Sequence, residues 1–329
     1  MRVLKRVLAG VSAAALLAVP LSACGQNRTA EDSVTGDDLR AMIQIDEEDA
    51  PLAIANPTLD GILVPEATGT VTYGNAYAVI DASNTDQGYV MVKYLKNEAV
   101  RIKVQITRSG GTTYTYNIAA DENYDVFPLS DGDGTYQINV FRNISGTRYS
   151  QVLGQSISVK LSNELLPFLY PNQFANFKED SKAVQYADQL ASKTGDELET
   201  VANIYNYVVQ NISYDYDLAK NVESTYLPVV DDVLAKGKGI CFDYASLLTS
   251  MLRSQGIPTK LLVGYTSRGE YHAWISVHVS ELGWINNIIS FDGQQWKLMD
   301  PTFASTGKSS KKIMDFINNP QNYTEKYCY

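Results

Sequence analysis

Residues 237–258 read GKGICFDYASLLTSMLRSQGIP, residues 271–274 read YHAW and residues 299–303 read MDPTF. Cys241 opens a run in which Phe242, Ala245, Leu248, Met251 and Leu252 recur at helical spacing, so the run predicts a helix beginning at the cysteine. Gly256 and Pro258 supply the stop signal. A cysteine is more often a buried structural residue than a reactive one. At a helix N-terminus, however, unpaired N–H groups and the helix dipole lower a thiol's pKa, and the position predicts a thiolate near neutral pH.

The chain holds two histidines, His272 and His278, and both follow Cys241. The run HAWISVHV alternates loosely between apolar and polar residues, which predicts a strand with both imidazoles on one face. Six residues of strand span about 20 Å, so one thiolate cannot serve both. His272, beside Tyr271 and Trp274, is the expected base. His278 is expected at the far end of the strand, as a surface or hydrogen-bonded core residue. Asp300 follows the strand-like run 296–299 and precedes Pro301. Such an aspartate is either a turn former or the carboxylate that accepts an imidazole's second N–H.

Taken together, the three blocks resemble the transglutaminase-like superfamily, in particular its bacterial members, over roughly residues 165–329. The resemblance implies a papain-like α+β core of helices packed on an antiparallel sheet. It implies Cys241 as nucleophile, His272 as general base and acid, and Asp300 as the residue that orients His272. It further implies acyl transfer on a protein or peptide substrate, cell-wall peptide included, with no metal or organic cofactor. Hydrolysis and transfer to an amine are both open. Separations of 31 residues from cysteine to histidine and 28 from histidine to aspartate leave room for hairpins. The chain departs from the family at the oxyanion donor: 227–240 contains no Gln, Asn or Trp, and Trp274, Trp284 and Trp296 all follow Cys241. Tyr226 is the nearest upstream side-chain donor, to act beside the Cys241 N–H; in a chain with 22 tyrosines, packing is the alternative.

Four segments are expected. Residues 1–24 read as a lipoprotein signal peptide: Arg2, Lys5 and Arg6 precede a short apolar run, and Leu21-Ser22-Ala23-Cys24-Gly25 resembles the bacterial lipoprotein cleavage box, with Cys24 as the lipid attachment site. Residues 25–65 read as an acidic flexible tether, 66–163 as a β-sandwich and 164–329 as the catalytic domain. Residues 1–23 carry three positive charges and no acid, so their removal takes the formal charge from −10 to −13. So acidic a chain is a poor nucleic-acid binder, and its membrane contact is expected through the lipid, on the extracytoplasmic face. Cys328 is expected as an unpaired tail residue, since a bridge to Cys241 would mask the nucleophile. No Cys/His cluster has zinc spacing.

Short Val, Ile, Tyr and Thr runs at 77–80, 89–94, 100–107, 112–118, 134–141 and 156–161 predict an immunoglobulin-like antiparallel sandwich, serving as a spacer or a binding module. Asp131-Gly132-Asp133-Gly134 reads as a hairpin turn rather than a calcium loop. Residues 181–192 and 196–211 read as helices, the second with an apolar stripe of Leu198, Val201, Ile204, Tyr205 and Val208 to back the cysteine helix. Residues 211–217 alternate acids and aromatics and read as a solvated loop, an edge strand or a substrate rim. The competing functional class is a non-catalytic surface module that keeps the fold for binding.

Overall fold

The computed structural model describes residues 33, 35–42, 54–191, 195–266, 269, 271–291, 296–298 and 323–329. After a short helix α1 (Gly36–Met42) come eight strands: β1 (Thr72–Gly74), β2 (Ala78–Asp81), β3 (Tyr89–Tyr94), β4 (Ile102–Arg108), β5 (Thr113–Ile118), β6 (Asp125–Pro128), β7 (Gly134–Ser145) and β8 (Arg148–Val159). They form two antiparallel sheets, ordered β1-β2-β3-β6 and β5-β4-β7-β8. Period-two burial builds their shared core: Ile102, Val104 and Ile106 of β4 and Tyr136, Ile138 and Val140 of β7 meet Ile80, Val92 and Phe127. Three-residue β1 and four-residue β6 are the strands the periodicity does not reveal, because so few residues carry no readable alternation. The hairpin expected at Asp131-Gly132-Asp133-Gly134 is corrected: the segment turns the chain from β6 of one sheet into β7 of the other, with Gly132 at φ +79°. Asp131 Oδ1 accepts the Tyr114 hydroxyl at 2.9 Å, and Asp133 Oδ1 accepts the Leu161 N–H at 2.8 Å.

The second half holds α2 (Lys182–Leu190), α3 (Glu197–Asn211), β9 (Ser213–Tyr214), α4 (Tyr216–Asn221), α5 (Val230–Lys236), β10 (Lys238–Gly239), α6 (Cys241–Ser254), β11 (Thr259–Thr266), β12 (Tyr271–Val279), β13 (Gly283–Phe291), β14 (Trp296–Leu298) and β15 (Tyr323–Cys328). Five strands make an antiparallel sheet ordered β14-β13-β12-β11-β15. Asp196 caps α3 by accepting the Glu199 N–H at 2.9 Å, and the expected stripe from Leu198 to Val208 is buried. Helix α6 packs on β11 and β12 and also against α2, α3 and α5. It is therefore buried on all sides from Asp243 to Arg253, and the apolar stripe read from the sequence describes only one of its faces. Each of Leu247, Leu248, Met251 and Leu252 contributes about 1.5–3 kcal/mol by leaving water. Gly256 at φ +75° ends the helix, with the Ile257 N–H returning to Leu252 O at 3.1 Å.

Two expectations are corrected. The tether is not uniformly free: Leu39 of α1 is fully buried, the Gly36 N–H donates to Glu199 Oε2 at 2.5 Å, and Arg40 reaches Asp196 at 2.7 Å and Glu281 at 3.0 Å. One apolar side chain and a forked cation suffice to dock an acidic segment on α3. Nor is Cys328 a loose tail. It lies in β15, buried with Phe168, Leu262 and Trp274, and its thiol is free. Burial pushes that thiol up to about 12. The β11–β15 pairing needs Gly264, where an added Cβ would stand 2.0 Å from Thr324 O.

Arg253, at the end of α6, is buried without a side-chain carboxylate among its hydrogen-bond partners in the described residues. Its guanidinium donates to Thr259 O (2.9 and 2.7 Å), Tyr170 O (2.7 Å) and Tyr329 O (2.8 Å), and burial pushes its pKa down to about 9. It ties α6 to the segment from the β-sheets and to the residue after β15. Arg253→Ala takes the guanidinium from three buried main-chain oxygens, of which Tyr329 O keeps the Leu261 N–H at 2.8 Å, and each oxygen left unpaired costs about 1–3 kcal/mol. Urea unfolding is expected to show a loss of about 3 kcal/mol or more, with Arg253→Lys recovering only part because one ammonium lacks the planar fork.

Candidate functional site

The cysteine is placed by the turn before it. Gly237, at φ +61°, closes α5, and β10 then pairs in parallel with β9, Lys238 beside Ser213 and Gly239 beside Tyr214. Ile240 is extended and Cys241 is the first residue of α6. Asp243, fully buried two residues on, holds this turn. Its Oδ2 accepts the Ile240 N–H at 2.8 Å and its Oδ1 accepts the Tyr226 hydroxyl at 2.6 Å. Burial pushes the Asp243 carboxyl up, and these two donors pull it back. Gly239 leaves room for it, because a Cβ there would lie 2.6 Å from the Asp243 Cβ. An acid at the third position of a helix is a known capping signal, and it is the signal in CFDYA that the catalytic reading passes over.

His272 lies near the start of β12 and is buried. Cys241, His272 and Tyr226 line one cavity of about 610 Å³. The backbone N–H groups of Ala273, the residue next to His272, and of Phe242 lie close enough to the Cys241 sulfur to favour its charged form. The imidazole ring lies 6.4 Å from the Trp274 ring, nearly parallel to it. His272 Nε2 is buried with no hydrogen-bond partner among the described residues. His278 lies at the other end of β12, with Nδ1 2.6 Å from Asn56 Oδ1 and its ring edge-on to Trp284. It is the hydrogen-bonded core residue of the two.

Burial governs the titration of the pair. It pushes the Cys241 thiol up, the N–H groups of Ala273 and Phe242 opposing, and it pushes His272 down to about 4. The expected thiolate at neutral pH is therefore corrected: the helix N-terminus is outweighed by desolvation, and the cavity holds at rest a thiol and a neutral imidazole. Tyr226 does sit beside the cysteine, but its proton is committed to Asp243, and burial raises its pKa further. While that bond stands, the hydroxyl has no proton to offer an oxyanion. Asp300 and Cys24 lie outside the described residues. The last described residues before Asp300 belong to β14, where Leu298 pairs with Ile289 and Ile289 with Ile275. Of the ambiguous 211–217 stretch, Tyr214 lines the cavity, whereas Asp215 caps α4 and pairs with Lys238 at 3.0 Å.

The cysteine of α6 and the histidine of β12 both fall within the stretch that matches a known family. Residues 184–287 match the model of the transglutaminase-like superfamily. The UPF0252 protein MJ1282 of Methanocaldococcus jannaschii is 29% identical over 169 residues, covering 46% of this chain and 47% of that protein. The uncharacterized protein YebA of Bacillus subtilis is 31% identical over 103 residues, 26% of this chain and 13% of that protein. The chain thus spans less than half of either curated relative. Among solved structures, a candidate cysteine protease from Cytophaga hutchinsonii is 15% identical, with a TM-score of 0.33 over 65% of this chain and 72% of that one.

The neutral resting pair has a kinetic signature. Alkylation of Cys241 by iodoacetamide, followed by mass spectrometry, is expected to accelerate about tenfold per pH unit from pH 6 to 8, with no inflection below about 8.5. A rate plateau across pH 5–8 is the mark of a preformed thiolate–imidazolium pair and contradicts this electrostatic account.

Proposed function

We propose that this protein is a surface-anchored cysteine acyl-transfer enzyme that acts on amide or peptide substrates through a thioester on Cys241. The observation that carries the reading is the shared cavity, which Cys241 at the first turn of α6 and His272 near the start of β12 both line. In this mechanism His272 takes the thiol proton as Sγ bonds to the substrate carbonyl carbon. Charge gathers on the carbonyl oxygen, and N–H groups in the first turn of α6 are the donors placed to meet it. The C–N bond breaks as His272 passes its proton to the leaving amine, and a thioester remains. Water or a second amine then attacks, its proton moving through His272 back to the sulfur. Asp300 is proposed to accept the second N–H of His272. Support comes from its place third in the cysteine, histidine, aspartate order and from the buried Nε2 that lacks a partner among the described residues.

The two N-terminal sheets are proposed to form an immunoglobulin-like sandwich, on the strength of their antiparallel order and single shared core. Anchoring is proposed through a lipid on Cys24, supported by the small residues before it and the basic start of the chain.

Two experiments test this. The full chain in detergent is incubated with dimethylcasein and a dansylated primary amine, and amine incorporation, ammonia release and new peptide termini are measured together. Incorporation defines a transferase, and ammonia or new termini without incorporation define a hydrolase. Cys241→Ala is expected to abolish turnover and His272→Ala to lower kcat by about 10²–10⁴-fold; turnover that survives Cys241→Ala sinks the reading. In cells of a Gram-positive host, Cys24→Ser is expected to move the protein from the membrane fraction to the medium, and unchanged membrane retention rules the lipid out.

A further inference from the structure

The cavity around Cys241 is not built by the transglutaminase-like half alone. Thr115 and Asn117 of β5, and Gln173 and Phe174 of the connecting segment, belong to its lining. Strand β5 is an edge strand, and its residues alternate: Tyr114, Tyr116 and Ile118 are buried, while Thr113, Thr115 and Asn117 are exposed. The buried set fixes the exposed set in place. Tyr114 lies 5.7 Å from both Tyr327 and Tyr329, and Tyr116 lies 5.9 Å from Tyr329. Phe174 packs at 4.1 Å from Tyr329 and 5.8 Å from Phe242, the residue after the cysteine. The Tyr114 hydroxyl donates to Asp131 Oδ1 at 2.9 Å. Gln173 Nε2 donates to Asn117 O at 3.4 Å. Through this aromatic seam, β5 is held against the sheet that carries His272.

We propose that β5 is the specificity wall of the Cys241 cavity, with Thr115, Asn117 and Gln173 binding the flanking amides of an extended peptide whose reactive carbonyl reaches the sulfur. The proposal rests on the acyl-transfer reading for its chemistry. The wall offers one hydroxyl and two carboxamides, groups that both donate and accept and so match peptide amides. An edge strand also leaves one row of backbone groups without a strand partner, which is how extended peptides are commonly received. Of the described residues that line the cavity, Glu223 is the one that carries a charge with His272 neutral, and it is negative. The substrate class is therefore a neutral or basic peptide segment, and acidic donors are repelled.

The test fills the cavity from the N-terminal side. Thr115→Trp and Asn117→Trp place a large ring on exposed strand positions, where aromatic residues suit β-structure. The full chain is labelled at pH 9 with iodoacetamide and, separately, with a biotinylated tetrapeptide chloromethyl ketone, and modification of Cys241 is timed by mass spectrometry. Each variant is expected to lower the ratio of peptide-probe rate to iodoacetamide rate by tenfold or more. Ser158→Trp, exposed on β8 of the same sheet, is expected to leave the ratio unchanged. Ratios for both β5 variants within twofold of the unsubstituted chain overturn the wall, as does an equal fall for Ser158→Trp. The readout needs no turnover, so a lowered ratio in a chain that processes no amide keeps the wall and refutes the enzyme. An unchanged ratio in a chain that does process amides refutes the wall alone.

Discussion

Enclosing α6 on every side is the constraint on which the rest of the structure depends. A helix so placed needs apolar or small side chains all round it, a sheet along one side, helices along the other, and separate provision for each end. At its C-terminal end a buried guanidinium spreads over three carbonyls; at its N-terminal end a buried carboxylate gathers a tyrosine hydroxyl and a backbone N–H. Both are isolated charged or polar groups in an apolar setting, and both persist because hydrogen bonds replace the lost water. The cysteine therefore stands on an anchored turn, at the point where the enclosure opens.

The same enclosure sets the chemistry. Removing water from a thiol and an imidazole disfavours both charged forms, so the two pKa values move apart, the sulfur's upward and the ring's downward. A neutral pair stores less reactivity at rest than an ion pair. It also lets a bound substrate, by closing the cavity and bringing its own dipoles, decide when the proton moves. Helix dipole arguments taken from the sequence carry no information on how much protein surrounds the end of the helix, and for this reason the sign of the cysteine shift was not legible there.

Much of the scaffold was legible because periodicity reports burial. Strand β3 falls on 89–94 as the residues suggest, and α3 ends at Asn211 as expected, with Asp196 its cap and not its first helical residue. Cys241 and His272 could be placed on a helix start and a strand because glycine, proline and alternation mark those places locally. What the sequence hid depends on partners distant in the chain. Nothing near Arg253 announces that Tyr170 and Tyr329 will supply its acceptors, and nothing near Leu39 announces α3. Asp243 was hidden differently: it belongs to a motif whose cysteine draws the eye, while its own task is to hold Tyr226 and Ile240. Helices α4 and α5, of six and seven residues, span too few turns to show a period.

The docking of α1 has a consequence for geography. Arg40 bonds to Glu281, 241 positions further along the chain, so the amino-terminal end is fastened to the half that carries the cavity rather than to the far end of the β-sheets. If Cys24 is the lipid-bearing residue, residues 25–35 alone separate the bilayer from α1. Eleven residues pulled straight reach about 40 Å at most. On that proposal the two sheets do not act as a stalk, and the half that carries the cavity is held to a shallow zone next to the membrane.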